Sequence, residues 1–237
     1  MQNRTTTSST EPSAGASPGG RTVVVVTGAE PLDPAAILAV PADARLIAAD
    51  SGLDHALAAG LEPHELVGDL DSISAAGRAW AERHCAVSPH PVDKDATDTE
   101  LALARAADLD PDRLVLISGG GDRLDHTLAV LGALGSIDLT SVPVVEAVWG
   151  HQRLRVLHGP GRVSLPLAVG STVSLLSLHG PATGVGISGT RWVLDNATLD
   201  PLAGRGVSNE VVASPVEIRV TTGILCIIAD GWEVVPA

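Results

Sequence analysis

Phenylalanine and tyrosine are absent from this 237-residue chain, and aromatic residues make up 2% of it. The core must therefore be built from Val, Leu, Ile and Ala, and the four tryptophans stand out. Basic side chains are also scarce: 15 Lys and Arg against 28 Asp and Glu leave a formal charge of −13. Nucleic acids and anionic membranes both recruit basic patches, so neither suits this chain as its main partner. Small phosphates held through a metal ion remain compatible with the charge. There are two cysteines, Cys85 and Cys226, far apart in apolar context and without zinc-site spacing. They read as buried free thiols in a reduced compartment. No apolar run is long enough to span a membrane. Residues 1–20 are rich in Ser, Thr, Gly and Pro and lack an apolar h-region, which predicts a disordered tail and not a signal peptide. A soluble, cytoplasmic protein is expected.

What is present suits a folded chain. Hydrophobic residues make up 45% of it, and the mean hydropathy is +0.26. The length fits one large domain or two small ones. The run Thr22–Thr27 is continuous and β-branched, as in a strand buried on both faces of a parallel sheet. Strands are also expected at 45–49, 66–67, 85–88, 114–118 and 142–149. Helices are expected at 34–40, 53–59, 74–84, 97–107 and 125–134. Thr97 with Glu100 three residues on predicts a capping box. This alternation implies α/β architecture with a mostly parallel, helix-covered sheet over residues 21–149. Beyond Gly150 the helical period disappears. Short apolar strands alternate with Gly, Pro and Ser turns, at 154–157, 162–165, 172–178, 191–194, 216–221 and 224–228. An antiparallel β-sandwich or barrel is expected over 150–237, with the boundary near 149–152.

The chemistry concentrates between Val67 and Glu100. Val67–Ser74 reads V-G-D-L-D-S-I-S, and Asp93–Glu100 reads D-K-D-A-T-D-T-E. Asp69, Asp71, Asp93, Asp95 and Asp98 stand at the ends of apolar segments, where ligands bind in an open α/β sheet. Carboxylates that converge there repel each other unless a cation lies between them. An oxygen-only set without His or Cys favours Mg²⁺, which normally works with phosphates. Any one of these acids alone is an ordinary turn former. Asp50, in A-D-S-G at 49–52, is either an Asx turn or a ligand contact at the same sheet edge. Lys94 is either a salt-bridge partner or a phosphate contact. Ile117–His126 reads I-S-G-G-G-D-R-L-D-H, a glycine-rich strand-to-helix turn that can bring backbone N–H groups to an anion. It lacks the G-K-[ST] of a Walker A loop. Arg123 can fork onto phosphate oxygens. Asp125 has three open roles: binding metal, holding Arg123, or capping the helix. Trp192 is expected in a strand, where tryptophan is usually core, with stacking on a flat or cationic heterocycle as its alternative. Ser208 and Asn209 either contact a ligand or shape a turn.

Taken together, A-D-S-G (49–52), G-D-L-D-S (68–72), D-K-D-A-T-D-T-E (93–100), G-G-D-R-L-D-H (120–126), G-T-R-W-V-L (189–194) and V-S-N-E (207–210) resemble the thiamine pyrophosphokinase family. The likeness runs from about residue 22 to 237 and is specific as a set. It implies a Rossmann-like α/β ATP-binding domain followed by a β-sandwich thiamine-binding domain. It implies a homodimer with sites where the two subunits meet, and Mg²⁺-dependent transfer of a pyrophosphoryl group from ATP to the thiamine hydroxyl, releasing AMP. Carried over by residue, it implies Asp69, Asp71 and Asp98 as metal carboxylates, with Asp71 and Asp98 catalytic. Asp50, Asp95, Arg123 and Asp125 fall on the ATP side, and Trp192, Ser208 and Asn209 on the thiamine side. Two positions depart from the family pattern: Ser51, where a second glycine is usual, and Val130, where an asparagine is common. Two other readings fit the residues: a non-catalytic nucleotide- or thiamine-binding regulator, and a phosphotransferase acting on another small alcohol.

Overall fold

The computed structural model describes residues 21–121 and 123–230. The expected N-terminal tail and Trp232 lie outside the described residues. In chain order the first half forms β1 (Thr22–Val26), α1 (Pro34–Ile37), β2 (Arg45–Ala49), α2 (Gly52–Ala58), β3 (Glu65–Gly68) and α3 (Ala75–His84). It continues with β4 (Ala86–Pro89), α4 (Asp98–Ala107), β5 (Arg113–Ser118), α5 (Leu124–Leu134) and β6 (Val144–Trp149). These six strands are all parallel, in the order β4-β3-β2-β1-β5-β6. Alternate residues of β1 split between the faces. Val23 and Val25 pack with Ala102 and Leu103 of α4 and Leu134 of α5. Val24 and Val26 pack with Ala36 of α1 and Ala56 of α2. A strand buried on both faces needs apolar side chains in both directions, which is why T-V-V-V-V carries no alternation.

The helix ends follow local chemistry. Thr97 Oγ1 accepts a hydrogen bond from the Glu100 N–H, and the Glu100 carboxylate accepts one from the Thr97 N–H, so the expected capping box forms. Ser74 caps α3 by accepting from the Gly77 N–H. α1 is shorter than the expected 34–40.

The second half forms β7 (Gln152–His158), β8 (Gly161–Leu165), β9 (Thr172–Ser188), β10 (Leu194–Leu199), β11 (Asn209–Glu210), β12 (Val216–Val220) and β13 (Thr222–Asp230). All pairings among them are antiparallel. The ladder does not stop where the composition changes. β6 turns tightly through Gly150, which has φ +58°, and pairs antiparallel with β7. One hydrogen-bonded path therefore runs from β4 to β8. β9 is longer than the expected 172–178. Its first part pairs with β13, and its second part pairs with β10 and β12. Residues from both parts, including Leu175 and Ile187, share one core with Ile218 and Leu225. Cys226 is buried and Cys85 half-buried; both are free. Burial pushes the Cys226 thiol pKa up to about 12.

Trp192 departs from expectation. It lies in the loop between β9 and β10, 56% exposed, and not in a strand. The reason is a tertiary contact. Its backbone N–H and C=O, which a ladder would need, are both taken by the Asn209 side chain.

Candidate active site

The parallel order reverses between β1 and β5, with β2 on one side of β1 and β5 on the other. Loops leaving neighbouring strands there diverge and open a crevice at the C-terminal edge of the sheet. A hollow of about 440 Å³ occupies that edge. It is lined from the ends of all six parallel strands: Thr27 and Gly28, Asp50, Asp69 and Ser72, Lys94 and Asp98, Gly120 with Arg123, and Trp149.

Three carboxylates meet at its edge: Asp50 and Asp69 line it, and Asp71 stands exposed beside them, outside the lining. Single oxygens of Asp50, Asp69 and Asp71 all lie within 4.8 Å of one another. Asp98, the first residue of α4, closes on the same group, because a Cβ on Gly68 would lie 2.9 Å from Asp98 Oδ1 and 3.2 Å from Asp50 Cβ. Lys94 stands among them. Its Nζ donates to Asp69 Oδ2 at 2.6 Å and lies 2.9 Å from Asp98 Oδ1, an ion pair that falls short of hydrogen-bond geometry. Ser72 donates to Asp50 Oδ2, and the Asp71 N–H donates to Asp69 Oδ1 at 3.3 Å. Asp50 and Leu70 hold left-handed backbones, φ +47° and +65°. Such strain in non-glycine residues costs roughly 1–3 kcal/mol each and needs the surroundings to enforce it.

The electrostatics follow from this crowding. Burial raises the Asp50 pKa, against hydrogen bonds from Ser72 and the Ser51 backbone, and the nearby Asp98 and Asp69 raise it further. The Lys94 hydrogen bond holds Asp69 below the usual carboxylate range, against partial burial. Burial alone would lower the Lys94 pKa, but the two carboxylates beside it more than offset that and hold it above a free lysine.

Asp50 Oδ1 is buried without a hydrogen-bond donor, whereas Asp98 Oδ1 is buried against the Lys94 ammonium. Orphaned buried carboxylate oxygens are costly unless a cation or donor reaches them. An all-oxygen set of this kind fits a hard divalent ion such as Mg²⁺.

The remaining expected residues are placed as follows. Arg123 lines the hollow at the start of α5 and makes a two-pronged pair with Asp125, 2.7 and 3.3 Å, both exposed. Of the three roles open to Asp125, holding Arg123 is the one this geometry contains, and that pairing lowers the Asp125 pKa. Val130 also lines the hollow. Asp95 is exposed and off the hollow. Trp192, Ser208 and Asn209 form a second group, outside the hollow's lining. Asn209, 7% exposed, accepts from the Trp192 N–H at 3.0 Å. It donates to the Trp192 carbonyl at 2.6 Å and to Thr190 Oγ1 at 3.1 Å. Ser208 has φ +60° and donates its N–H to Ser174 Oγ. Arg191 lies 5.1 Å from the Trp192 ring centroid and pairs with Glu210. Ser72, Thr190 and Trp149 were missed as site residues. Ser72 was visible as the last residue of G-D-L-D-S, and Trp149 as an aromatic at a strand end. Thr190 was visible as the second residue of G-T-R-W-V-L.

A second hollow, about 450 Å³, lies on the antiparallel sheet between Arg162, Asp195 and Arg219. Its Arg219 and Asp195 pair with each other, and among the described residues no group of three or more carboxylates faces it.

Comparison with known proteins agrees with this layout. Residues 39–145 match the family model for the catalytic domain of thiamin pyrophosphokinase. Residues 162–225 match the model for its vitamin B1 binding domain. The thiamine pyrophosphokinase of Bacillus subtilis is 26% identical over 184 residues, covering 77% of this chain and 85% of that protein. The crystal structure of the Bacillus subtilis enzyme superposes with a TM-score of 0.78 at 24% identity, covering 89% of this chain and 99% of that one. The enzyme from Geobacillus thermodenitrificans gives 0.74 at 25% identity, covering 89% and 97%. Thiamin pyrophosphokinase from Candida albicans keeps the fold at 16% identity, with a TM-score of 0.72 and coverage of 88% and 89%. With the carboxylate crevice, both halves of the chain matched in order and the fold shared along nearly its whole length, this chain belongs to the thiamine pyrophosphokinase family, transferases whose activity is to move a pyrophosphoryl group from ATP to thiamine.

Proposed function

We propose that this chain is a working, Mg²⁺-dependent thiamine pyrophosphokinase whose reaction centre is the carboxylate crevice at the ends of the parallel strands. The observation that carries this is the convergence of Asp50, Asp69 and Asp71, with Asp98 beside them and Asp50 Oδ1 buried without a donor. A non-catalytic binder has no reason to keep so repulsive a set together.

Asp69, Asp71 and Asp98 hold the metal, with Asp50 supporting them. Bound there, Mg²⁺ supplies charge neutralisation for the polyphosphate. The chain's own residues do the rest. Arg123, held by Asp125 at the N-terminus of α5, forks onto phosphate oxygens as they enter. The Gly119–Gly121 turn brings backbone close to the nucleotide. Asp98 is committed to Lys94, so Asp71, exposed at the lip, is the better placed to take the proton of the attacking thiamine hydroxyl. The phosphoanhydride bond to AMP breaks as the new ester bond forms, and AMP leaves with the released charge.

Thiamine is a flat cation, suited to an aromatic face and an acidic surround. Trp192 offers that face but does not line the crevice of its own chain. Val193 next to it, and Val207 and Val212 flanking the Asn209 that binds its backbone, are also exposed. A homodimer in which the Trp192 face of one subunit covers the crevice of the other joins the two halves of the site. Residues 21–149 then act as the ATP-binding domain and 150–237 as a β-sandwich thiamine domain. No described helix is long and apolar enough to cross a membrane, in keeping with a cytoplasmic enzyme.

The test is incubation with ATP, Mg²⁺ and thiamine. AMP and thiamine diphosphate are expected, and Asp71→Asn abolishes both while thermal unfolding stays that of a folded protein. ADP in place of AMP refutes the pyrophosphoryl step, and thiamine binding with no nucleotide turnover favours the regulator reading.

A further inference from the structure

The chain contains one lysine and 14 arginines. That single lysine, Lys94, stands inside the carboxylate cluster, 2.6 Å from Asp69 and 2.9 Å from Asp98. Its side chain is 13% exposed, so the ammonium is enclosed among acids and does not simply lie on the surface. Every other positive side chain of the protein is a guanidinium, including those in the buried pairs around Glu65 and Glu146. The exception falls where shape matters. A guanidinium is planar and locks bidentately onto one carboxylate. An ammonium is a compact point charge that can sit between two, as a metal ion does.

We propose that Lys94 is a built-in stand-in for the divalent cation: it holds Asp69 and Asp98 in register while the site is metal-free, and yields its place when the metal and polyphosphate arrive. This rests on the metal-site reading above. Without a cation, Asp50, Asp69, Asp71 and Asp98 would repel each other and spread the loops after β3 and β4. With Lys94 between them, the ligand set is pre-assembled. The arrangement also sets a condition on loading. A metal entering alone must break the Lys94–Asp69 bond. A metal entering with ATP brings phosphate oxygens that can receive the displaced ammonium, which its four-carbon stem keeps at the crevice.

Because there is one lysine, it can be observed alone. Protein labelled with ¹³C,¹⁵N-lysine gives a single side-chain ammonium signal. That signal is expected to be slow-exchanging in metal-free protein, and to shift and exchange faster as Mg²⁺ is added. In parallel, Mn²⁺ binding without nucleotide is measured by electron paramagnetic resonance. Lys94→Gln should bind Mn²⁺ about tenfold more tightly than wild type, the scale of one charge-assisted hydrogen bond no longer broken on entry. Its metal-free unfolding temperature should fall. A lysine with only a structural role would weaken Mn²⁺ binding when removed. Equal or weaker Mn²⁺ binding by a folded Lys94→Gln, or a lysine signal unmoved at saturating Mg²⁺, overturns the proposal. If Lys94→Gln does not fold, the wild-type signal decides. Mn²⁺ binding of unchanged affinity sinks the role of Lys94 alone, whereas no Mn²⁺ binding by either protein sinks the metal-site reading with it.

Discussion

Replacing Asn209 with Ala tests the proposed thiamine side of the site without touching the acids. The Asn209 amide is 7% exposed and makes three hydrogen bonds, two to the Trp192 backbone and one to Thr190. Each such bond contributes about 1 kcal/mol net; of the groups left behind, the Trp192 backbone is partly buried and Thr190 is buried. The loss should therefore be about 2–3 kcal/mol. For a chain of this length that lowers the Tm by roughly 4–12 °C. The freed loop would let Trp192 sample many orientations, so the KM for thiamine should rise about tenfold while the KM for ATP stays within about twofold. Asn209→Asp makes a sharper control. It puts a carboxylate oxygen where Nδ2 now donates to the Trp192 carbonyl at 2.6 Å, turning an attraction into a repulsion. It should be more damaging than Ala despite its near-identical shape. Steady-state kinetics on both substrates and a thermal melt decide the matter. An unchanged Tm with an unchanged thiamine KM, or an ATP KM that rises as much as the thiamine KM, would refute the idea that Asn209 holds the thiamine face.

Two further outcomes follow from the structure. Burial pushes the Glu65 pKa up, but hydrogen bonds from Arg105 and Ser88 and the charges of Arg105 and Arg45 outweigh it and leave the value below normal. A carboxylate whose folded pKa is depressed adds stability that is present above its unfolded value, about 4.3, and is lost as pH falls through the lower folded value. Glu65→Gln should thus lower the Tm at neutral pH, and its gap from wild type should close on acidification; a gap constant in pH would contradict this. Gly68 has φ +147°, and an added Cβ would press on Asp98 Oδ1 and Asp50. Gly68→Ala should cut kcat at least about tenfold by displacing those acids, and full activity in that variant would argue against the close packing of the cluster.

Much of this protein was determined by neighbours in sequence. The β-branched run at Thr22–Val26, the Thr97–Glu100 capping box and the change of rhythm after Gly150 are short-range patterns, and each forms where its residues foretell it. The carboxylate motifs were legible for the same reason, since residues at strand ends must meet wherever parallel strands lie side by side. Other features had no local signature. Only the strand order placed Asp69 and Asp98 around one lysine with Asp50 alongside, because the loops after β2, β3 and β4 converge through crossovers and not through spacing. Trp192 read as a core strand residue until a side chain 17 positions away took the backbone groups its ladder required. The composition shift at Gly150 resembled a break, yet a tight turn lets β7 pair with β6 and carry the sheet onward. Sequence patterns encode which elements form and which faces they bury. Which side chains finally meet depends on the order in which those elements stack, and that is settled by burial across the whole chain.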